Sequence, residues 1–193
     1  RAVKMARDNK LQLAVHAMGD KAIQTVIDVT KEIAPWLTTM PSVRIEHASL
    51  MTDQMFAEIA NSKMNYALVT QPIFFFAEDE SYRHYLSPAQ FKLAYRVKTM
   101  LNSQAMLGLS SDAPCTPWAE PDSPFYSIYA AVTRKAANGD VVNAEEAITV
   151  PQAILGYTRD GAKIGGFDEN GTLEVGKAAD FVILNDDIFT VAH

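Results

Sequence analysis

Cysteine is nearly missing from this chain, because Cys115 is the only one among its 193 residues. A single thiol excludes an internal disulfide and any zinc site built from several thiolates. A chain without disulfides fits a reducing compartment, and we therefore expect a cytoplasmic location.

Positive charge and long apolar runs are also scarce. Lys and Arg number 17 against 23 Asp and Glu, so the formal net charge is -6 and no basic surface is available for a phosphate backbone. No stretch approaches the roughly 18 apolar residues of a membrane helix, and the first ten residues hold no signal-peptide core. We therefore expect neither nucleic acid nor a membrane as a partner, whereas a hydrophobic content of 48% is ample for a packed core.

An initiator methionine is missing as well. Ala2, Val3 and Ala6 precede Asp8 in a pattern that is typical of the last turns of a helix leading into a strand. We therefore expect the first residues of the chain to lie in the middle of a fold.

Three short apolar runs are each followed by a side chain that can bind a metal. The first run ends at His16 and the second at His47, while Asp112 follows the third run after two serines. Because parallel strands end at one edge of a sheet, these three side chains are predicted to converge. Two imidazoles and a carboxylate, with a fourth position left open, are what a catalytic zinc requires.

The same residues also have structural interpretations. A histidine taken alone is more often a hydrogen-bonded core residue, and Asp112 would serve well in a turn or as a helix cap. Glu46 is expected to pack or to form a salt bridge rather than to take part in chemistry. Asp20 either caps the helix that follows it or orients His16.

Strands and helices alternate along most of the chain. Strands are predicted at residues 11–15, 43–46, 64–69 and 105–109, with a loop at 73–86 and helices at 20–33, 53–60, 88–100, 125–137 and 150–164. This alternation predicts parallel β/α units with both sheet faces covered. Gly165 and Gly166 are expected to end the last helix, and residues 171–184 are predicted to be β-structure.

Seven segments in the same order resemble a known family. They are His16–Asp20, Arg44–Ala48, Gln71–Pro72, Tyr95–Arg96, Ser110–Pro114, Thr133–Arg134 and Gly171–Phe181. Together they are similar to the amidohydrolase superfamily, and within it to the amidohydrolase family 3 or YtcJ-like branch. The resemblance runs along nearly the entire chain.

This resemblance implies an α/β fold, a distorted (β/α)8 TIM-type barrel with a small β-sandwich domain. The chain would supply the C-terminal half of the barrel, strands 5 to 8, in residues 1–170. Residues 171–193 would supply the C-terminal strands of the composite sandwich. The His-x-His pair of the family's first strand, and the lysine or glutamate of its fourth, have no counterpart here, since the other histidines are His84 and His193. We therefore expect the C-terminal portion of a larger enzyme.

The resemblance also implies roles for individual residues. His16, His47 and Asp112 would bind a divalent metal, zinc before others, with one or two ions in the whole enzyme. Asp112 would in addition carry the proton between the attacking water and the leaving amine. Gln71 and Arg96 would bind substrate.

The predicted function is that of a metal-dependent amidohydrolase that uses metal-activated water on a non-peptide C–N bond, in an amide, an N-acyl or N-formyl group, or a cyclic amide. One alternative is a catalytically incomplete fragment of such an enzyme. Another is a lactonase or phosphotriesterase-like barrel hydrolase. The expected partners are a small amide-type substrate, the missing N-terminal half of the barrel, and a second copy of the chain.

Overall fold

A four-stranded parallel sheet in the order β1-β2-β3-β4 organises the structure, a computed structural model that describes residues 1–116 and 118–190. The described part leaves out residues 117 and 191–193, and so both Pro117 and His193. The strands are β1 (Leu13–Ala17), β2 (Val43–His47), β3 (Tyr66–Thr70) and β4 (Met106–Leu109). The helices are α1 (Ala2–Asp8), α2 (Asp20–Thr30), α3 (Asp53–Asn61), α4 (Pro72–Tyr85), α5 (Pro88–Phe91), α6 (Val97–Leu101), α7 (Pro124–Thr133), α8 (Val150–Tyr157) and α9 (Arg159–Gly165), with a 3-10 turn at Ala144–Glu146.

One face of the sheet forms the main hydrophobic core. Register aligns Val15, Ile45, Leu68 and Leu107 across the four strands, and all four belong to the same apolar cluster. Helix α2 adds Ile23, Val26 and Ile27 to that cluster, and these recur at the helical spacing that the sequence predicts.

The opposite face is covered at β3 and β4 by α9. Ile164 of α9 packs against Ala67 and Val69. A Cβ at Gly108 would lie 3.0 Å from Ile164 Cδ1, so the missing side chain lets the helix approach the strand. At β1 the same face stays open, and His16 is exposed there.

The predicted loop at 73–86 is wrong, because residues 72–85 form α4. Pro72 stands in its first turn, and Ile73, Phe74, Phe75 and Phe76 are all buried. The first turn of α4 is buried on all sides, so its apolar residues do not form a stripe along one face. Its sequence therefore lacks the 3.6-residue period by which a helix is predicted.

Three predicted helices are shorter or divided in the structure. The helix at 88–100 splits into α5 and α6 because Ala94 pairs with Leu50 and the Tyr95 amide donates to the Ser49 carbonyl at 2.8 Å. The helix at 125–137 ends at Thr133, where Arg134 takes a left-handed conformation. The helix at 150–164 breaks at Thr158 into α8 and α9. Tertiary contacts, which local propensity does not encode, decide the first of these differences.

The predicted β-structure after residue 170 is absent, since residues 171–190 hold no strand. A strand needs a neighbour for its N–H and C=O groups, and none of the described segments pairs with this one. Val175, Phe181, Val182 and Ile183 are exposed instead. The parallel α/β fold is thus confirmed, while the half-barrel, the sandwich and the domain division at residue 170 stay predictions. None of the helices in residues 1–116 and 118–190 has the length and apolar character needed to cross a membrane.

Candidate active site

Polar side chains stand at the carboxyl ends of all four strands. His16 is the next-to-last residue of β1, and His47 is the last of β2. Gln71 directly follows β3, and Ser110 directly follows β4. Because all four strands run parallel, these ends share one edge of the sheet, where α/β proteins place their chemistry.

A continuous line of hydrogen-bonded side chains joins these four ends. His16 Nδ1 lies 2.8 Å from His47 Nε2, and His47 Nδ1 lies 3.0 Å from Gln71 Oε1. Gln71 Nε2 lies 2.8 Å from Ser110 Oγ. We call His16, His47, Gln71 and Ser110 the strand-end line. Its two middle members are buried, His47 being 6% and Gln71 2% exposed, whereas His16 at one end is exposed and Ser110 at the other is half-buried.

The contact between the two histidines depends on an unusual backbone conformation. Register pairs His16 with Glu46 and Ala17 with His47, so regular alternation would place the two rings on opposite faces. However, His47 has φ +68° and Ala48 φ +48°, in the left-handed region that non-glycine residues rarely adopt. The rings meet edge to face, with 4.5 Å between centroids, where β2 leaves the extended conformation. Such a conformation costs about 1–3 kcal/mol and is concentrated at functional sites.

Asp112 lies beyond the end of β4 and is half-buried. Its φ is +56° and its carbonyl accepts from the Cys115 amide at 2.8 Å, which is turn geometry. In the part of the chain that the structure describes, no three His, Cys, Asp or Glu side chains are close enough to hold a metal. The structure therefore brings His16 and His47 together but does not add Asp112 to the pair. Asp112 stands in the turn after β4, and β4 is the strand farthest from β1 in the described sheet.

The donor chemistry of the histidine pair fits a zinc ion. Two nitrogens that bind one tetrahedral zinc, each at about 2.0–2.1 Å, are about 3.3 Å apart. The 2.8 Å between His16 Nδ1 and His47 Nε2 is a hydrogen-bond distance instead. His16 Nδ1 and His47 Nε2 would therefore have to move apart by about half an ångström to bind one zinc ion together.

Arg96 takes part in a network of protein contacts. Its Nη2 lies 2.7 Å from Asp53 Oδ1, its Nη1 donates to the Met51 carbonyl at 3.2 Å, and its Nε lies 3.4 Å from Glu146 Oε1. The guanidinium also stacks 5.3 Å from the ring centroid of Phe56. These contacts give Arg96 a structural role, and its predicted substrate contact stays a prediction.

Two further expectations concern acidic residues near the histidines. Glu46 forms an ion pair with Arg44 on its own strand, as expected. Asp20 does not cap α2, because Gly19 is the N-cap and no side-chain cap hydrogen bond forms. Asp20 is instead the first helical residue, where its carboxylate accepts from the Lys21 amide at 2.8 Å and lies at the positive end of the helix dipole.

Ser110 is the site residue that the sequence interpretation missed. Its hydroxyl contacts Gln71, and its carbonyl accepts from the Tyr157 hydroxyl at 3.0 Å. The sequence offered one signal that Ser110 belongs to the site, namely its position directly after a predicted strand and two residues before Asp112.

Histidines stand at the carboxyl ends of two adjacent parallel strands. This arrangement is that of the α/β proteins that hold their functional groups at the carboxyl edge of a parallel sheet. Within that class the chain belongs to the amidohydrolase family, whose sequence model matches residues 1–193.

Curated relatives and a solved structure agree with that family. The chain is 30% identical over 195 residues to the putative amidohydrolase YtcJ of Bacillus subtilis, covering 99% of this chain and 35% of that protein. It is 28% identical over 179 residues to the N-substituted formamide deformylase of Arthrobacter pascens, and the alignment covers 92% of this chain and 32% of that protein. The crystal structure of an uncharacterized metal-dependent hydrolase from Pyrococcus horikoshii superposes with a TM-score of 0.80 at 31% identity, covering 97% of this chain and 36% of that one. The chain thus spans about a third of the length of these proteins.

Proposed function

We propose that the polypeptide carrying this chain is a metal-dependent hydrolase of a non-peptide C–N bond, in an amide, an N-acyl or N-formyl group, or a cyclic amide. Family membership supports hydrolysis, and similarity to a protein named for deformylating N-substituted formamides favours this type of bond. We further propose a cytoplasmic location and, for the whole protein, the barrel and composite sandwich that the sequence predicts.

The contact between His16 and His47 is the observation that carries the proposal. Imidazoles from two adjacent strand ends lie 2.8 Å apart, one exposed and one buried. As neutral rings, both are zinc ligands of the ordinary kind. A zinc ion bound there would polarise the scissile carbonyl and lower the pKa of a water molecule. Further ligands would come from Asp112 and from chain outside these 193 residues.

Asp112 is proposed as the proton carrier. As a carboxylate it would accept the proton released when water attacks, and it would donate that proton to the nitrogen of the leaving amine. Asp112 follows Ser110, the last member of the strand-end line, by two residues. The substrate contacts of Gln71 and Arg96 stay predictions, and the hydrogen bonds of both side chains within the protein favour positioning or structural roles.

The proposal is tested on the full-length polypeptide by measuring its metal content and its activity. We expect bound zinc and turnover of amides in a panel that also contains lactones and phosphotriesters. His16→Ala and His47→Ala should each lower metal occupancy and turnover. His84→Ala is the matched control, because His84 is exposed on α4 and packs against Tyr85.

Three outcomes would contradict the proposal, each in a different way. Full metal occupancy in the doubly substituted His16→Ala/His47→Ala protein would show that the pair is not a ligand set. Turnover of lactones or phosphotriesters in place of amides would give the reaction to another barrel hydrolase. A full-length polypeptide without metal or turnover would favour the catalytically incomplete alternative.

A further inference from the structure

The orientation of the Gln71 amide is fixed by the main chain. Gln71 Nε2 lies 3.3 Å from the Val69 carbonyl and 2.8 Å from Ser110 Oγ. A carbonyl oxygen only accepts, so the atom facing Val69 has to be the amide nitrogen, which donates. Gln71 Oε1 therefore faces His47 Nδ1, at 3.0 Å.

This orientation determines which nitrogen of His47 carries the proton. Gln71 Oε1 has no proton to give, so His47 Nδ1 donates to it. In the neutral ring His47 Nε2 then holds a lone pair, and it accepts from His16 Nδ1 at 2.8 Å. His16 Nε2 in turn is left with a lone pair. His47 is thus held with its proton on Nδ1 and its lone pair on Nε2. A zinc ion shared between the two rings would take the place of the proton on His16 Nδ1, and His16 would then carry its proton on Nε2.

We propose that Gln71 is a positioning residue, which holds His47 with Nδ1 protonated so that Nε2 is the nitrogen presented to a metal. The inference rests on the proposed function in one respect, namely that His47 is a ligand. A hydrogen-bond acceptor behind a ligating histidine fixes its ring and raises its basicity, and loss of such an acceptor typically lowers metal affinity about 10- to 100-fold.

Burial argues against direct substrate binding by Gln71. Its side chain is 2% exposed, its oxygen contacts His47, and its nitrogen contacts both Val69 and Ser110. The amide is therefore fully engaged by the protein, and it acts on substrate only through His47.

The first experiment measures the tautomer directly in the metal-free, full-length polypeptide labelled with ¹⁵N-histidine. At a pH where His47 is neutral, long-range ¹H–¹⁵N spectra distinguish a protonated Nδ1 from a protonated Nε2. We expect the Nδ1-protonated form in the wild type, and a shift towards the Nε2-protonated form in Gln71→Leu. The His47 signals are assigned by their loss in His47→Asn.

The second experiment measures zinc affinity by competition with a chelator. Gln71→Leu should weaken binding about 10- to 100-fold. Gln71→Glu should recover part of that loss, because a carboxylate also accepts from Nδ1. Ser110→Ala should weaken binding less than Gln71→Leu, since Val69 still orients the amide. Gln24→Leu is the matched control, because Gln24 is a half-buried glutamine that hydrogen-bonds Asp28 and Glu58 on the helical layer.

Several results would overturn the inference. An unchanged His47 tautomer in Gln71→Leu would show that Gln71 does not hold the ring, and so would a Gln71→Glu protein no better than Gln71→Leu in zinc affinity. A raised KM with unchanged tautomer and unchanged zinc affinity would make Gln71 a substrate contact. If the tautomer shifts as expected but the wild type binds no zinc, the positioning by Gln71 stands and the proposed function fails, so the two failures are distinguishable.

Discussion

Truncation of Glu146 tests the network that holds Arg96. The Glu146 carboxylate accepts from the Thr99 amide at 2.9 Å and from Thr99 Oγ1 at 2.6 Å, in the first turn of α6. Arg96 Nε lies 3.4 Å away on the other side. The side chains of Glu146 and Arg96 are 8% and 16% exposed, so this ion pair is largely withdrawn from water. Glu146→Ala removes the acceptor for all three groups.

The expected cost follows from this burial. Removing one partner of a buried pair destabilises a protein by about 3–5 kcal/mol, mainly because the other charge is left without compensation. Arg96 would keep Asp53, but that carboxylate is 89% exposed and such a pair is worth only about 0–1 kcal/mol. Arg96 would also keep its hydrogen bond to the Met51 carbonyl. We therefore expect the lower end of that range, a loss of about 3 kcal/mol in the free energy of unfolding. At a urea m-value of about 3 kcal/mol/M, the unfolding midpoint should fall by about 1 M.

The assay is urea unfolding of the full-length polypeptide, combined with steady-state kinetics. Glu145→Ala is the control, since Glu145 is the exposed neighbour in the same 3-10 turn, and it should leave the midpoint unchanged. Arg96→Met should also lower the midpoint, and the double variant should show coupling between the two sites. The structural role of Arg96 is refuted if Arg96→Met leaves the midpoint in place and raises KM, which is what a substrate contact would do.

Three further predictions concern the proton carrier, a buried phenol and the isolated chain. Asp112→Asn should keep bound metal through the histidines and lower kcat about 10²- to 10⁴-fold, because an amide cannot carry the proton, and an unchanged kcat would remove Asp112 from the mechanism. Burial raises the pKa of Tyr157 to about 12. The unfolded chain therefore loses this proton first, at about pH 10, and the free energy of unfolding falls between pH 10 and 12 by up to about 3 kcal/mol. Tyr157→Phe should make that part of the profile less steep in urea unfolding at pH 9 to 12, with the remaining slope due to the other buried tyrosines, Tyr66, Tyr82 and Tyr95, whose pKa values burial also raises, and an identical slope would contradict the prediction. The 193-residue chain on its own should associate, because β1 is an outer strand of the sheet among the described residues and Phe181, Val182 and Ile183 are exposed. A monodisperse monomer in light scattering would contradict this.

Local sequence was sufficient to predict the strands and the residues at their ends. Each strand is a short apolar run, and the first two end at or beside a histidine, so the pattern alone places His16 and His47 at one edge of the sheet. The beginning of the helix predicted at 53–60 was also readable, since α3 begins after Thr52, whose hydroxyl accepts from the Met55 amide at 3.3 Å. The first turns of α4 were not readable, because a segment buried on every side has no periodic pattern.

The sequence by itself determined which side chains stand at the strand ends, because the period of two and the β/α alternation are local properties. Only the tertiary structure decided how those side chains meet. The bond from His47 to Gln71 joins residues 24 apart in sequence, and the bond from Gln71 to Ser110 joins residues 39 apart, so both depend on strand register. The left-handed conformation of His47, which turns its ring towards His16, is uncommon for a residue other than glycine, and the adjacent Ala48 shares it, so contacts of the folded chain hold the pair there. Arg96 likewise finds its partners in Glu146 and Asp53, which local pattern does not connect.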